Sequence, residues 1–359
     1  MKIAFVTRSM WAGGAERVIS ELVKYMATKD IECSIITIDN EQILYEIPEG
    51  VEVHAIGELS KTPHLDKFQR YRKLRSIVKK LRPDLVLALP EDIGIYVIPA
   101  LIGTKIPVVV SERNNPWVMP WKKETRLLRK LLYPLATGFI FQTEEAKSYF
   151  PHFIRKKGKV LPNPLDLNRI PIQWNGVRRK EVIGAGRLDK QKNFPLLIRS
   201  FAKFHKNYPD YVLTIYGEGI LREELESLAA SLLPVGSYSF PGRTSELLER
   251  INGGAIFVLS SDFEGMPNVV IETMAMGMPV ISTNCPSGGS SELIQNGENG
   301  ILVPVGDIDS LTIAMAEIAG SDDFANKLGR NAQEIKKRLD SDIVAEKWRN
   351  YLESHISGK

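Results

Sequence analysis

The sequence predicts an α/β protein made of two doubly wound domains in tandem, on three observations. The chain has 359 residues and 43% hydrophobic content, past the roughly 250 to 300 residues at which a single core stops growing. Short apolar runs rich in Val, Ile and Leu alternate with amphipathic helical patterns, and near-continuous apolar strands separated by helices belong to parallel sheets covered on both faces. The alternation breaks once, at the Pro-containing polar stretch "LPNPLDLNRIPIQWNGVRRK", residues 161–180, and then restarts.

The strands expected in the first half are "KIAFVT", "ECSIITI", "LVLAL", "PVVVSE" and "GFIFQT". Those in the second are "EVIGAG", "YVLTIYG", "AIFVLSS" and "PVISTN". The domains are placed at residues 1–170 and 171–340, followed by a segment 341–359 whose "DIVAEKWRNYLES" reads as an amphipathic helix packing back on the first domain. Ligands of open parallel sheets lie outside the carboxyl ends of the strands, so two such domains are expected to face a central cleft. The chemistry should therefore sit in loops that follow strands.

Composition narrows the function. Cys33 and Cys285 lie in separate halves without metal-ligand or redox spacing, which argues against disulfide frameworks and zinc sites and fits a reducing cytoplasm. No run approaches the roughly 18 apolar residues of a membrane span, and "KIAFVT" at the start reads as a strand. A soluble, unprocessed protein is the expectation. Residues 1–170 carry 27 Lys+Arg against 19 Asp+Glu and the rest 20 against 24, so the first half is suited to an anionic partner, although a solvated basic face has the same composition.

Six loops carry the candidate chemistry. Gly13 and Gly14, after the first strand, enter a helix where backbone N–H groups could face a phosphate, or simply make a tight turn. "EVIGAGRLDKQKNF" places Arg187 and Lys192 between a strand and a helix, a cation pair suited to a diphosphate leaving group. Glu218, in "YGEG", is either ligand-facing or a helix-start acid, and Arg243 follows the strand ending at Gly242. In "SSDFEGMPNVVIETMAMG", Glu264 ends a strand, Gly265 and Met266 continue the loop, Pro267 suits a first helical turn, and Asn268 leads to Glu272 within the helix. At about 1.5 Å per helical residue the two acids stand beyond the ~5 Å carboxyl pair of a retaining glycosidase, so separate jobs are expected of them. "CPSGGSSELI" adds Ser287, Gly288 and Gly289, either close to a ligand or capping a helix.

Together "GGAER", "GAGRLDKQKNF", "YGEG", "FEGMPNVVIETMAMGMPVI" and "NGENGILVPVGD" resemble the retaining glycosyltransferases of the family 4 type, over essentially the whole chain. The resemblance implies the GT-B fold, two Rossmann-like domains, and transfer of a sugar from a nucleotide-sugar, usually UDP-linked, without a metal cofactor. It assigns Arg187 and Lys192 to the diphosphate, Glu264 to the donor sugar, Glu272 to the ribose, and Gly14 with residues 265–268 to the phosphate and sugar.

The first domain should hold the acceptor. "SERNNPWVMPWKKETRLLRKLLYPLA" supplies Glu112 and Arg113 after a strand, then Trp117 and Trp121 beside Lys122, Lys123, Arg126, Arg129 and Lys130. Aromatic rings next to a basic helix suit an anionic membrane surface, and a core-packed helix with a solvated basic face fits as well. The basic helix expected over residues 66–83 adds to the first possibility. With the resemblance, these features imply a polyprenyl diphosphate-linked glycan acceptor and a peripheral position on the cytoplasmic, inner face of the membrane. Where many relatives carry a histidine, this chain has Arg113, so no histidine base is assigned. A nucleotide-sugar epimerase of the same architecture and a nucleic-acid-binding protein are the alternatives; nucleic acid is not the expected partner, because the aromatics are not interleaved through the basic stretches. A dehydrogenase is disfavoured for want of the full Gly-x-Gly-x-x-Gly turn.

Overall fold

The computed structural model describes residues 1–11, 13–39 and 43–356. It divides into two units: Met1–Pro164 with the chain from Leu339 onward, and Leu165–Arg338. The change of unit after Pro164 falls inside the stretch read as a linker.

The first unit holds a parallel sheet of β1 (Lys2–Thr7), β2 (Glu32–Thr37), β3 (Glu52–Ala55), β4 (Leu85–Ala88), β5 (Val108–Ser111), β6 (Gly138–Phe141) and β7 (Gly158–Val160). Its order is β3-β2-β1-β4-β5-β6-β7, and Ile3 of β1 sits in register with Cys33 on one side and Leu85 on the other. The helix Ser341–Glu353 belongs to this unit: Trp348 is fully buried and its indole donates to Pro162 O at 3.3 Å. Tyr351 Oη donates to Phe139 O and accepts from Phe139 N, both at 2.9 Å, which binds the helix to the end of β6.

The second unit holds β8 (Arg179–Ala185), β9 (Val212–Tyr216), β10 (Tyr238–Gly242), β11 (Gly254–Leu259), β12 (Val280–Thr283) and β13 (Ile301–Val303), again all parallel, in the order β10-β9-β8-β11-β12-β13. Its core joins Leu213, Ile215, Ile256 and Val258 to Phe201 and Phe204 of the helix Phe194–His205. In each sheet the order reverses beside the first strand, at β1/β4 and at β8/β11, and loops diverging at such a reversal open a crevice for ligands. β3, β7 and β13 went unread in the sequence because three or four residues at or near a sheet edge are too few to show a period.

Candidate active site

The reversal at β8/β11 brings together Lys192 and Glu264, two of the residues singled out in the second unit. Lys192 closes the short turn Lys190–Lys192, which Asp189 caps by accepting from Lys192 N at 3.3 Å. Glu264 lies five residues beyond the end of β11. Lys192 Nζ donates to Glu264 Oε1 at 2.6 Å, and both side chains are largely withdrawn from solvent. Ser261 Oγ donates to the same oxygen at 2.7 Å, and Gln191 Nε2 reaches Glu264 Oε2 at 3.4 Å and Phe263 O at 3.1 Å. Charge-assisted bonds of this kind are about twice as strong as neutral ones, so three donors from two loops fix the carboxylate in place. Neither Gln191 nor Ser261 was singled out in the sequence; each merely neighbours a residue that was.

The loops are braced against one another through their backbones. Asp262 N donates to Gln191 O at 2.9 Å, Asn193 Nδ2 to Asp262 Oδ1 at 2.6 Å, and Ser260 Oγ to Lys192 O at 2.8 Å. On the other side, Glu264 N donates to Pro286 O at 2.9 Å, and Ser287 donates to Glu264 O through both N and Oγ. A Cβ on Gly289 would stand 1.5 Å from Gly265 O, so this glycine exists to let two loop backbones touch. Gly288 caps the five-residue helix that follows. Gly217, with φ +141°, is similar: a Cβ there would be 1.8 Å from Gly186 O.

The expected cation pair is unequal. Arg187 is 73% exposed, 3.4 Å from Asp189 and 3.5 Å from Gln191 Oε1, whereas Lys192 is committed to Glu264. Pro267 is the N-cap of the helix Asn268–Ala275 and lies before its first turn; Glu272, on that helix, is buried with Gly265 and Met266. Glu218 precedes the helix Arg222–Leu232 and is not a helix-start acid; its carboxylate takes Arg222 Nη1 at 2.6 Å. Arg243 is exposed just past β10. Burial pushes the Cys285 thiol up to about 12, which leaves it unreactive at neutral pH.

In the first unit several expectations need correction. Arg129 is not a surface cation: it is 1% exposed, donates to Pro116 O at 2.6 Å and Met119 O at 2.9 Å, and lies 3.5 Å from Glu112. Glu112, equally buried, accepts from Tyr133 Oη, so its carboxylate is turned inward and is not available to position an acceptor. Arg126 Nη1 donates to the carbonyls of Val118, Pro120 and Trp121 and clamps the loop. Only Lys122, Lys123 and Lys130 of the five cations are exposed. The Gly13 N–H is not open to a phosphate either, since it donates to Tyr45 Oη at 3.2 Å, while Gly14 starts the helix Gly14–Ala27.

The helix Lys123–Leu132 thus presents the opposite of the usual arrangement. Its Arg129 faces in, and Leu127, Leu128 and Leu131 are exposed, the last by 65%, with Trp117 and Trp121 exposed beside them. Among the described residues no helix is long and apolar enough to cross a membrane. Arg113, behind this segment, donates to Asn163 Oδ1 and lies over the Trp348 ring at 5.7 Å, while its backbone N–H reaches Glu91 at 3.3 Å.

Comparison with known proteins matches both halves. Residues 12–169 fit the family model described as Glycosyltransferase Family 4, and residues 172–335 that of Glycosyl transferases group 1. The chain is 29% identical over 357 residues, covering 97% of both proteins, to the "GalNAc-alpha-(1->4)-GalNAc-alpha-(1->3)-diNAcBac-PP-undecaprenol alpha-1,4-N-acetyl-D-galactosaminyltransferase" of Campylobacter jejuni. It is 25% identical over 377 residues, covering 95% of both, to the "UDP-Gal:alpha-D-GlcNAc-diphosphoundecaprenol alpha-1,3-galactosyltransferase" of Escherichia coli. Among solved structures, Anabaena Alr3699/HepE in complex with UDP and glucose superposes with a TM-score of 0.83 at 18% identity, over 99% of this chain and 100% of that one, a likeness of fold.

Proposed function

The chain belongs to the family 4 glycosyltransferases, matched over both halves, and from that premise we propose that it moves a hexose or N-acetylhexosamine from a UDP-sugar to a polyprenyl diphosphate-linked glycan, with retention at the anomeric carbon. Family membership displaces the epimerase and nucleic-acid readings. The observation that carries the proposal is the buried Lys192–Glu264 pair at the β8/β11 reversal, with exposed Arg187 on the same loop. The relatives named for undecaprenol-linked acceptors and for UDP-Gal support the substrate classes.

In this reading Glu264, with its oxygens already oriented, accepts hydrogen bonds from hydroxyls of the donor sugar, and Glu272 accepts them from the ribose. The acceptor hydroxyl attacks the anomeric carbon on the face that the diphosphate leaves. The bond between that carbon and the phosphate oxygen breaks, UDP departs with the electron pair, and its oxygen takes the hydroxyl proton. Arg187 and Lys192 neutralise the charge developing on the diphosphate, a preorganised electrostatic role in which no divalent ion is required. No side chain need become covalently attached.

The acceptor's lipid is met by the first unit. Exposed Leu127, Leu128, Leu131 and Trp121 enter the interface while Lys122, Lys123 and Lys130 meet anionic headgroups, as an interfacial helix does. The protein accordingly works peripherally on the cytoplasmic leaflet. Proton NMR of the first product formed from an α-linked UDP-sugar tests the chemistry: the small anomeric coupling of an α-glycoside is expected, and a β-glycoside would contradict retention.

A further inference from the structure

The two oxygens of Glu264 are not held alike. Oε1 takes two short bonds, from Lys192 Nζ at 2.6 Å and Ser261 Oγ at 2.7 Å, and a carboxylate oxygen has about two lone pairs to offer. Among the described residues Oε2 takes one long bond, from Gln191 Nε2 at 3.4 Å. Room for a ligand hydroxyl is therefore on Oε2, and Gln191 is the side chain that shares this oxygen with it.

Gln191 is held in a fixed orientation. It lies in the turn Lys190–Lys192, and a helix with about three residues per turn sets neighbouring side chains about 120° apart, so Gln191 and Lys192 reach the carboxylate from different sides. Its backbone is pinned, because Gln191 O accepts from Asp262 N at 2.9 Å, and the residue is buried. The amide can face only one way. Nε2 donates to Phe263 O at 3.1 Å as well as to Glu264, both of which can only accept, while Oε1 accepts from Arg187 Nη2 at 3.5 Å, which can only donate. A flipped amide would set oxygen against oxygen twice and nitrogen against a cation once.

This contact does what Lys192 and Ser261 cannot. Bonds to one oxygen fix its place but let the carboxylate pivot about it, whereas a donor on the second oxygen sets the plane and the direction of the remaining lone pair. A neutral donor suits that task. A second cation on Oε2 would bind it about twice as strongly and compete with a sugar hydroxyl, while a long amide bond leaves the oxygen free to accept one.

We propose that Gln191 is a positioning residue for the transfer, setting the plane of the Glu264 carboxylate so that Oε2 meets a hydroxyl of the donor sugar. The proposal rests on the UDP-sugar reading of this site and states how its carboxylate is aimed.

The unmodified chain, Gln191→Met and Gln191→Glu are compared in two measurements. One is calorimetric UDP binding; the other is the rate of UDP release from whichever of UDP-glucose, UDP-galactose and UDP-N-acetylgalactosamine the unmodified chain cleaves fastest. Methionine has nearly the length of glutamine and no donor. UDP carries no sugar, so Gln191→Met should bind it within about threefold of the unmodified chain, while release at saturating donor should fall about tenfold or more, the scale of a hydrogen bond to a charged group. Gln191→Glu keeps the shape but places a second carboxyl against Glu264, and like charges so close raise the pKa of one of the pair. Once protonated, the introduced carboxyl can again donate to Oε2. Its release rate relative to the unmodified chain should therefore climb as pH falls from about 8 to about 6, whereas a side chain that only fills space would give a flat ratio.

An unchanged release rate in Gln191→Met, a UDP affinity lost in parallel with that rate, or a flat ratio for Gln191→Glu would overturn the proposal and leave the donor site standing. An unmodified chain that binds no UDP and cleaves none of the three donors would overturn the UDP-sugar reading and the proposal with it. Should Gln191→Met fail to fold, the pH ratio of Gln191→Glu decides alone.

Discussion

In the second unit the buried carboxylate Glu264 has donors on both oxygens, from Lys192, Ser261 and Gln191. In the first, Glu91, Glu112 and Arg113 crowd the ends of β4 and β5 with far less compensation: the Nε and Nη1 of Arg113 and the Nε of Arg129 are buried with no hydrogen-bond partner. Burial, and then the nearby Glu112 charge, pushes the Glu91 carboxyl up to about 8, and burial lowers Arg113 to about 9. Burial also raises Glu112 against the pull of Arg129. A desolvated charge is tolerable when its hydrogen bonds are complete and costly when they are not. The contrast assigns the rigid, preorganised site to the second unit and a pH-sensitive interior to the first.

The strongest way to break the contrast is to make the second unit resemble the first. Lys192→Ala strands Glu264 in a buried place and should cost about 3–5 kcal/mol in denaturant unfolding of that unit, with loss of both donor binding and turnover. Replacing the pair together, Lys192→Met with Glu264→Gln, should recover most of the stability and none of the activity. An active double variant would show the pair to be structural only.

Gly289→Ala comes next, because the new methyl must displace the Gly265 carbonyl 1.5 Å away. Overpacking of that sort costs about 1–3 kcal/mol, and turnover should fall further than stability alone would explain, since Glu264 rides on the displaced loop. Unchanged turnover would mean that the contact between the loops does not set the carboxylate.

For the first unit the test is pH. The folded Glu91 holds its proton up to about 8 against an ordinary 4.5, so the folded state binds more protons between those values. Its stability contribution is complete below 4.5 and is lost as pH rises through 8, a fall of about 2 kcal/mol between pH 6 and 8. Glu91→Gln should flatten that slope in urea melts, and an identical slope would place the titration elsewhere. Smallest in stability is Arg187→Ala: the side chain is mostly exposed, so unfolding should shift by less than about 0.5 kcal/mol, while UDP affinity should drop roughly tenfold with the loss of a charged hydrogen bond.

Much of this was legible in the sequence, and the failures have physical causes. The long apolar strands announced both sheets; Arg187, Lys192 and Glu264 could be singled out because each follows a strand at a loop that enters a helix, and Glu272 because it is an acid within an apolar helical run. Gln191 and Ser261 were not, since a neutral side chain that bonds across two loops leaves no periodicity. Arg129 was misread as a membrane-facing cation because "KETRLLRKLL" has the same period whichever face is buried. What decides is Glu112 with the carbonyls of Pro116 and Met119, which draw the arginine inward and leave the leucines outside. That same inversion strengthens the case for an interfacial helix beyond what the charges alone suggested.

The most direct test of the central claim, that the Lys192–Glu264 site handles a UDP-sugar, is calorimetric UDP binding paired with transfer turnover for the unmodified chain and Glu264→Gln. UDP should bind both forms within about threefold of each other, and turnover should fall about 10²–10³-fold, the scale of removing one preorganised electrostatic contact. Absence of UDP binding to the unmodified chain, or full turnover in Glu264→Gln, would contradict it.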